Sequence, residues 1–289
     1  AKGGFTGVVS MPSTLPIVDT KAQVEYVRKM SSGTAVDIHP AGSVTKGLNG
    51  MELTEMFDMS RSGAVAFTDD KNSIQHAGVM KLALLYTKNF SGVIMNQPND
   101  HSISSDGQMN EGITSTVLGL KGIPSLAEDL MVSRDIQLAE YTGGNIHLSG
   151  ISTGEGVELI KAAKKKGLQI TADVHVMNLC FNESKVFDFD SAYKTLPVLR
   201  DQKNVDALWK GLENNTIDFV VSDHRPAIKE DKEREFEDAT FGAPQLQTLF
   251  SALNSMKKIK LEKLINVLSD NTRAFIQKPS PTIKIGNDA

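Results

Sequence analysis

The chain has 289 residues, of which 40% are hydrophobic and 23% charged, as is ordinary for a soluble globular protein. The net charge of −4 and the scattered basic residues argue against a nucleic-acid partner, and no apolar run reaches the roughly 18–20 residues that a membrane span needs. A single cysteine, Cys180, excludes an internal disulfide and a thiolate metal cluster, so we expect a reducing, cytoplasmic setting.

Short apolar segments rich in β-branched residues alternate with longer amphipathic segments along the chain. The predicted strands are 5–11, 35–44, 64–70, 92–98, 145–152, 169–176 and 218–224. The predicted helices are 20–32, 51–63, 78–89, 125–144, 154–167, 204–215, 244–258 and 261–276. This alternation favours a parallel sheet covered by helices, either an open doubly wound sheet or a closed (β/α)8 barrel.

The number of predicted strands bears on the choice between these architectures. A barrel needs eight strands, and the sequence offers seven, so we expect one strand–helix unit upstream of Ala1. No repeat or linker divides the chain, which predicts a single domain over 1–289. The C-terminal PTIKIGNDA resembles the start of a further segment. The charged segment 227–244 predicts either a mobile loop over the strand ends or a plain solvated loop.

Polar side chains follow the predicted strands, at the edge where α/β proteins place their chemistry. They are Ser13, His39, Asp69, Asp70, Asn96, Gln97, Asn99, His147, Ser149, Asp173, His175, Asn178, Asp223 and His224. Taken singly, the Asp-Asp pair has a structural explanation as a helix cap, and a strand histidine has one as a hydrogen-bonded core residue. Asp70 and Asp223 at one edge favour metal binding or proton transfer, because a buried carboxylate needs a cation or donors.

Four segments in chain order carry a resemblance to a known family. They are GGFTGVVSMPSTLPIVDT, SVTKGLNGMELTEMFDMSRSGAVAFTDD, TGGNIHLSGIST and SDHRP. They resemble the dihydroorotase family of the amidohydrolase superfamily, in its bacterial type with an aspartate between the metals. The resemblance implies a (β/α)8 TIM-type barrel whose first strand and flanking small β domain this chain does not include. It also implies a zinc site that hydrolyses the cyclic amide of dihydroorotate, or forms it from carbamoyl-aspartate, in pyrimidine biosynthesis.

The metal positions of the family fall on four residues of this sequence. Asp70 matches the bridging aspartate, and Asp223 matches the last-strand aspartate that binds metal and moves the proton, which makes it the expected catalytic residue. Two histidine ligands of the family fall on Gln97 and Gly150, and neither supplies an imidazole. The His-x-His motif of the family would lie before Ala1. Zinc is therefore expected from the family but weak or absent in this chain.

The substrate positions of the family depart from its pattern as well. They fall on Ser13, Asn96, Leu196 and Ala227, with Ser13 and Leu196 where the family has Asn and Ala227 where it has His. Other polar side chains expected around the pocket are His147, His175, His224 and Arg225. We expect hydrogen bonds or a nearby cation such as Arg225, rather than zinc, to hold Asp223.

Three functions stay open. The chain is a catalytically impaired or inactive dihydroorotase-like protein, kept as a scaffold for aspartate carbamoyltransferase as in some members of the family. Alternatively it is an active zinc dihydroorotase, or a barrel in which Asn96, Gln97 and Arg225 bind a changed substrate. The family also suggests a homodimer, and no nucleic-acid or membrane partner is expected.

Overall fold

The computed structural model describes residues 1–280 and 284–285, so the C-terminal PTIKIGNDA lies almost entirely outside the described residues. The strands are β1 (Gly7–Ser10), β2 (Asp37–Pro40), β3 (Val93–Asn96), β4 (Met109–Asn110), β5 (Gly122–Ile123), β6 (Asn145–Leu148), β7 (Ile170–His175) and β8 (Phe219–Val221). The helices are α1 (Lys21–Ser31), α2 (Met56–Arg61), α3 (Ala77–Lys88), α4 (His101–Ser104), α5 (Ile113–Leu118), α6 (Leu126–Thr142), α7 (Gly154–Lys165), α8 (Val176–Cys180), α9 (Gln202–Glu213), α10 (Lys229–Lys232), α11 (Leu249–Met256), α12 (Leu261–Ile265) and α13 (Asn271–Phe275). Three 3-10 turns span Lys46–Leu48, Glu183–Val186 and Ser191–Tyr193, and a π-helical turn at Asn266–Asp270 joins α12 to α13.

The predicted strand segments lie side by side in chain order and run parallel. β1 pairs with β2, and β3, β6, β7 and β8 form one sheet in that order. The segment 64–70 joins the two sets through parallel bridges from Phe67 to Gly42 and to Ile94. Within residues 1–280 no backbone pairing links β1 to β8, so the strands form an open arc of a (β/α)8-type α/β barrel.

The predicted strand 64–70 and the predicted helix 51–63 are shorter than expected. The predicted strand 64–70 pairs only at single bridges around Phe67. The predicted helix 51–63 begins at Met56, since the preceding residues bond elsewhere: Lys46 N–H donates to the Glu52 carbonyl, and Thr54 N–H donates to the Val44 carbonyl. The short β4, β5, α4 and α5 were not expected, because two-residue strands carry no readable periodicity.

The core lies between the strands and the surrounding helices, and it buries both faces of the strands. In β6 the consecutive residues Ile146, His147 and Leu148 are each at most 1% exposed, as in a parallel sheet covered on both sides. Phe67 and Met80 belong to the same buried set, and full burial of one such side chain contributes about 1.5–3 kcal/mol. In the described part of the chain, none of the helices has the length and apolar character needed to cross a membrane.

Candidate active site

The carboxyl ends of the parallel strands bring several predicted site residues to one edge. Asp70 ends the predicted strand segment 64–70, which lies between β2 and β3. Gly150 follows β6, His175 ends β7 and Asp223 follows β8. Side-chain contacts join them, since His175 approaches Asp223, and Arg225 reaches back to Asp70. We call this edge the barrel mouth.

Asp223 is held by a lysine that the sequence did not single out. The Nζ of Lys71 lies 2.8 Å from Oδ1 of Asp223 and donates a second hydrogen bond, of 2.7 Å, to the Leu196 carbonyl. The Nδ1 of His175 lies 3.3 Å from Oδ2 of Asp223, within ion-pair range but outside good hydrogen-bond geometry. Burial would raise the pKa of Asp223, but His175 and Lys71 outweigh it and hold that pKa well below its usual range. The nearby cation is therefore Lys71, and the suggestion of Arg225 was wrong.

The two aspartates of the TDD motif face different surroundings. Asp69 is 2% exposed and accepts two backbone N–H bonds from residues 44–45, so it fixes a turn, and its burial raises its pKa. Asp70 turns toward the mouth, where its Oδ2 accepts the Ser13 hydroxyl at 2.5 Å. The same oxygen lies 3.1 Å from Nη2 of Arg225. Ser13 thus binds Asp70 through its hydroxyl. The family's asparagine, expected at this position, would offer a side-chain amide instead.

Three of the four family metal positions adopt a left-handed backbone conformation. The φ angles are 55° at Asp70, 67° at Gly150 and 43° at Asp223. A positive φ costs a residue other than glycine about 1–3 kcal/mol, and such strain concentrates at functional sites. The backbone at the barrel mouth is therefore strained at Asp70 and Asp223.

The space beside Gly150 is filled by His175. A Cβ atom at position 150 would lie 2.8 Å from Nε2 of His175 and 3.2 Å from Cδ of Pro197. Real Cβ atoms do not approach other heavy atoms this closely, so any side chain at position 150 requires His175 to move. Gly150 and His175 are thus sterically coupled.

Asn96 and Gln97 are both buried at the end of β3. The Asn96 amide donates to Oδ2 of Asp135 at 2.6 Å, and its carbonyl accepts the Ile74 N–H at 3.2 Å. These bonds tie β3 to α6 and to the loop before α3. The Asn96 amide is therefore bound within the fold, on the side of Asp135.

His147 belongs to a buried hydrogen-bonded group. Its Nε2 lies 2.8 Å from Oδ2 of Asp173, its Nδ1 lies 2.8 Å from the Thr171 hydroxyl, and its ring stacks on Phe219 at 4.8 Å. Asp173 also accepts the Gly150 N–H at 2.6 Å. Burial would raise the pKa of Asp173, but its bonds to His147 and Gly150 lower it overall. This group fixes the loop after β6.

His224 and Ala227 are both exposed; His224 precedes the 227–244 segment and Ala227 begins it. The Nδ1 of His224 accepts the backbone N–H groups of Gln245 and Leu246, at 3.0 and 3.2 Å. Its ring thus faces the chain that leads into α11 rather than the mouth carboxylates.

The 227–244 segment is anchored by two lysines, which neither predicted description of this loop included. The Nζ of Lys194 donates to the carbonyls of residues 236–237 at 2.6 and 2.8 Å. The Nζ of Lys232 donates to the Ser191 carbonyl at 2.6 Å. Burial and the nearby charge of Lys232 lower the pKa of Lys194 to about 8. The segment is thereby fixed against the 190–195 stretch.

The side chains at the mouth do not fit a zinc ion. A catalytic zinc takes three His or carboxylate ligands and keeps one position for water. Within residues 1–280 and 284–285, no group of three His, Cys, Asp or Glu side chains is placed to hold a metal. Asp70 and Asp223 already pair with basic groups, and these would repel a divalent ion.

Sequence reasoning missed Lys71 at this edge and did not recognise the contact that Asp173 makes. Lys71 directly follows the TDD motif. A basic residue next to Asp70 was therefore the sequence feature that could have indicated a counterion at this edge. Asp173 was noted at a strand end but was not connected with His147, because their contact joins two separate strands. A role of the predicted site residues in binding or converting a substrate stays a prediction.

The fold and the polar strand ends define a class, the amidohydrolase-type α/β barrel. L-hydantoinase (dihydropyrimidinase) from Arthrobacter aurescens has a similar structure, with a TM-score of 0.85 and 22% identity over 100% of this chain and 68% of that one. The dihydropyrimidinase from Brevibacillus agri NCHU1002 gives a TM-score of 0.80 and 19% identity over 100% and 67% of the two chains. At these identities the likeness establishes the fold alone.

Sequence comparison identifies the family within that class. The family model described as dihydro-orotase-like matches residues 1–156. The dihydroorotases of Thermoanaerobacter sp. (strain X514) and Caldanaerobacter subterraneus subsp. tengcongensis are each 40% identical over 100% of this chain and 68% of their own length. That of Pelotomaculum thermopropionicum is 41% identical over 86% of this chain and 58% of its own. The chain belongs to the dihydroorotase-like family and spans about two thirds of the length of the first two relatives.

Proposed function

We propose that the chain is a dihydroorotase-like protein of pyrimidine biosynthesis whose hydrolytic activity is lost or strongly reduced. One observation carries this proposal. At the four family metal positions only Asp70 and Asp223 have metal-binding side chains, and each is paired with a basic residue. We also infer that 1–289 form one barrel domain of seven strand–helix units.

The chemistry of the family reaction explains why this observation matters. Opening the cyclic amide requires a polarised carbonyl and a water whose pKa is lowered, and zinc supplies both. An aspartate at the place of Asp223 would take the proton from that water. Here the Asp223 carboxylate is bound by Lys71, and its lowered pKa makes it a weak base. Its retained position therefore does not support its family role.

The test uses the purified full-length protein with zinc added in excess. We expect less than one zinc per chain by elemental analysis, and carbamoyl-aspartate cyclisation at least about 100-fold slower than in a competent relative. The Thermoanaerobacter dihydroorotase is a suitable positive control under the same conditions. Turnover within tenfold of that relative would contradict the proposal and support the alternative, an active zinc dihydroorotase.

A scaffold role follows as the associated proposal. Several large apolar side chains are exposed, among them Ile113 at 85% and Val117 at 68%, one turn apart on α5. Such residues suit contact with a protein partner, and the predicted partners are a second copy and an aspartate carbamoyltransferase. Light scattering of the protein alone and mixed with the carbamoyltransferase tests both. A monomer in both samples would leave no support for either partner.

A further inference from the structure

We propose that Lys71 and Arg225 are built-in replacements for metal ions at the barrel mouth, each supplying a fixed positive charge to a carboxylate at a family metal position. The inference rests on the proposed function, because it takes the mouth to be free of zinc. It goes further in naming the residues that make the mouth stable without metal. It predicts that the two carboxylates depend on these side chains, and not on zinc, for their positive charge.

Lys71 has the geometry of a dedicated counterion to Asp223. Its side chain is 14% exposed and that of Asp223 is 17% exposed, so the pair is largely removed from water. The ammonium spans 2.8 Å to Oδ1 of Asp223 and 2.7 Å to the Leu196 carbonyl, which orients it from two sides. A divalent ion at Oδ1 of Asp223 would have to displace this ammonium.

Arg225 plays the same part at Asp70, and the backbone fixes its position. Its N–H donates to the Ala243 carbonyl at 3.1 Å, and its Cβ lies 2.7 Å from the point where a side chain on Gly242 would begin. The guanidinium reaches Oδ2 of Asp70 at 3.1 Å, on the oxygen that also accepts the Ser13 hydroxyl. That oxygen is fully engaged without a metal.

The substitution of charge is reciprocal across the mouth. Lys71 follows Asp70 in sequence but pairs with Asp223, while Arg225 follows Asp223 closely and pairs with Asp70. Each basic residue thus links the end of the 64–70 segment to the loop after β8. Removing a basic partner leaves a largely buried carboxylate without its counterion, whereas removing both charges of a pair does not.

The experiment compares the full-length wild type with Lys71→Met, Arg225→Met and the double variant. Melting temperatures are measured in EDTA and in zinc chloride. We expect the wild type to melt at the same temperature in both. We expect each single variant to melt roughly 5 °C lower or more in EDTA, because a buried charge has lost its partner. The double variant should melt lower still in EDTA, and zinc should restore none of the variants, because no three metal-binding side chains come together in the described part of the chain.

Two further variants separate charge from packing. In Lys71→Met/Asp223→Asn both charges are gone, so more than half of the lost stability should return. Lys71→Arg keeps the charge and should stay closer to wild type than Lys71→Met. Lys46→Met, which breaks the exposed pair with Glu52, is the matched control and should change little.

The outcomes distinguish this inference from the proposed function. A wild type that zinc stabilises by roughly 5 °C or more would overturn the inference. Equal melting of wild type and Lys71→Met in EDTA would overturn it too. All of these results are compatible with a protein that does not turn over carbamoyl-aspartate. Only measured turnover would contradict the proposed function.

Discussion

The imidazole of His175 occupies the volume that a side chain on Gly150 would need. Its Nε2 lies 2.8 Å from the ideal Cβ position at residue 150. The family pattern expects a histidine ligand at that position. A histidine introduced at position 150 therefore meets a filled space unless His175 moves.

Gly150→Ala should destabilise the protein by about 3 kcal/mol, because the positive φ and the contact with His175 both act against a Cβ. Gly167→Ala is the matched control, since Gly167 has a φ of +81° and no atom within 4 Å of its Cβ position. The control should lose only about 1 kcal/mol. Urea unfolding measures both, and equal losses would mean that His175 yields freely.

Asp173→Asn should weaken the protein at neutral pH by about 3 kcal/mol, because His147 and the Gly150 N–H lose a buried carboxylate. The folded pKa of Asp173 is lowered, so its contribution is complete above the unfolded value of about 3.9 and is lost as pH falls below it. Wild type should therefore lose more stability than Asp173→Asn between pH 5 and about pH 2. Asp188→Asn, at an exposed position, should keep the wild-type acid dependence; parallel curves for Asp173→Asn and wild type would refute the assignment.

Lys194→Met should change how the free energy of unfolding depends on pH above about pH 8. The folded pKa of Lys194 is about 8, lowered by burial and by Lys232 against the opposing charges of Asp238 and Glu237. The unfolded lysine titrates near 10.4, so between these values the unfolded chain holds more protons and stability rises with pH. Wild type should gain up to about 1.4 kcal/mol per pH unit relative to Lys194→Met from about pH 8 to 10. Urea midpoints across this range measure the gain.

The control for this profile is Lys165→Met, which removes an exposed lysine of α7. It should follow wild type at every pH, since the Lys165 side chain is exposed. If Lys194→Met also follows wild type from pH 8 to 10, the ammonium of Lys194 is not buried as described.

Arg200→Met should cost about 3–5 kcal/mol, which makes it one of the most damaging single changes. The Arg200 side chain is 3% exposed and donates to Oδ1 of Asn110 at 3.0 Å and to the Ile123 carbonyl at 2.7 Å. Its loss also leaves the buried Glu128 without its cation. Arg61→Met, on the exposed face of α2, should change stability by less than about 0.5 kcal/mol. Thermal unfolding decides, and similar melting temperatures for the two variants would contradict this account.

Sequence reasoning located the main strands because buried parallel strands are short apolar runs with a local signature. β6, β7 and β8 lie inside their predicted ranges. It failed where a distant backbone group decides the conformation, as around Thr54, whose N–H is taken by Val44 before α2 can begin. A window of neighbouring residues contains no information about such a partner.

At the mouth, the sequence by itself determined that Asp70 and Asp223 share one edge, because both follow parallel strands whose carboxyl ends must meet there. It also predicted, from the resemblance to the family, that Gln97 and Gly150 stand where the family has imidazoles. Only the tertiary structure decided which cation each carboxylate meets, since the Arg225–Asp70 contact joins residues 155 positions apart. The same holds for His175, whose ring fills the space beside Gly150 through the packing of neighbouring strands. Ion pairing and steric exclusion act between surfaces in space, so they exist only once the strands have come together.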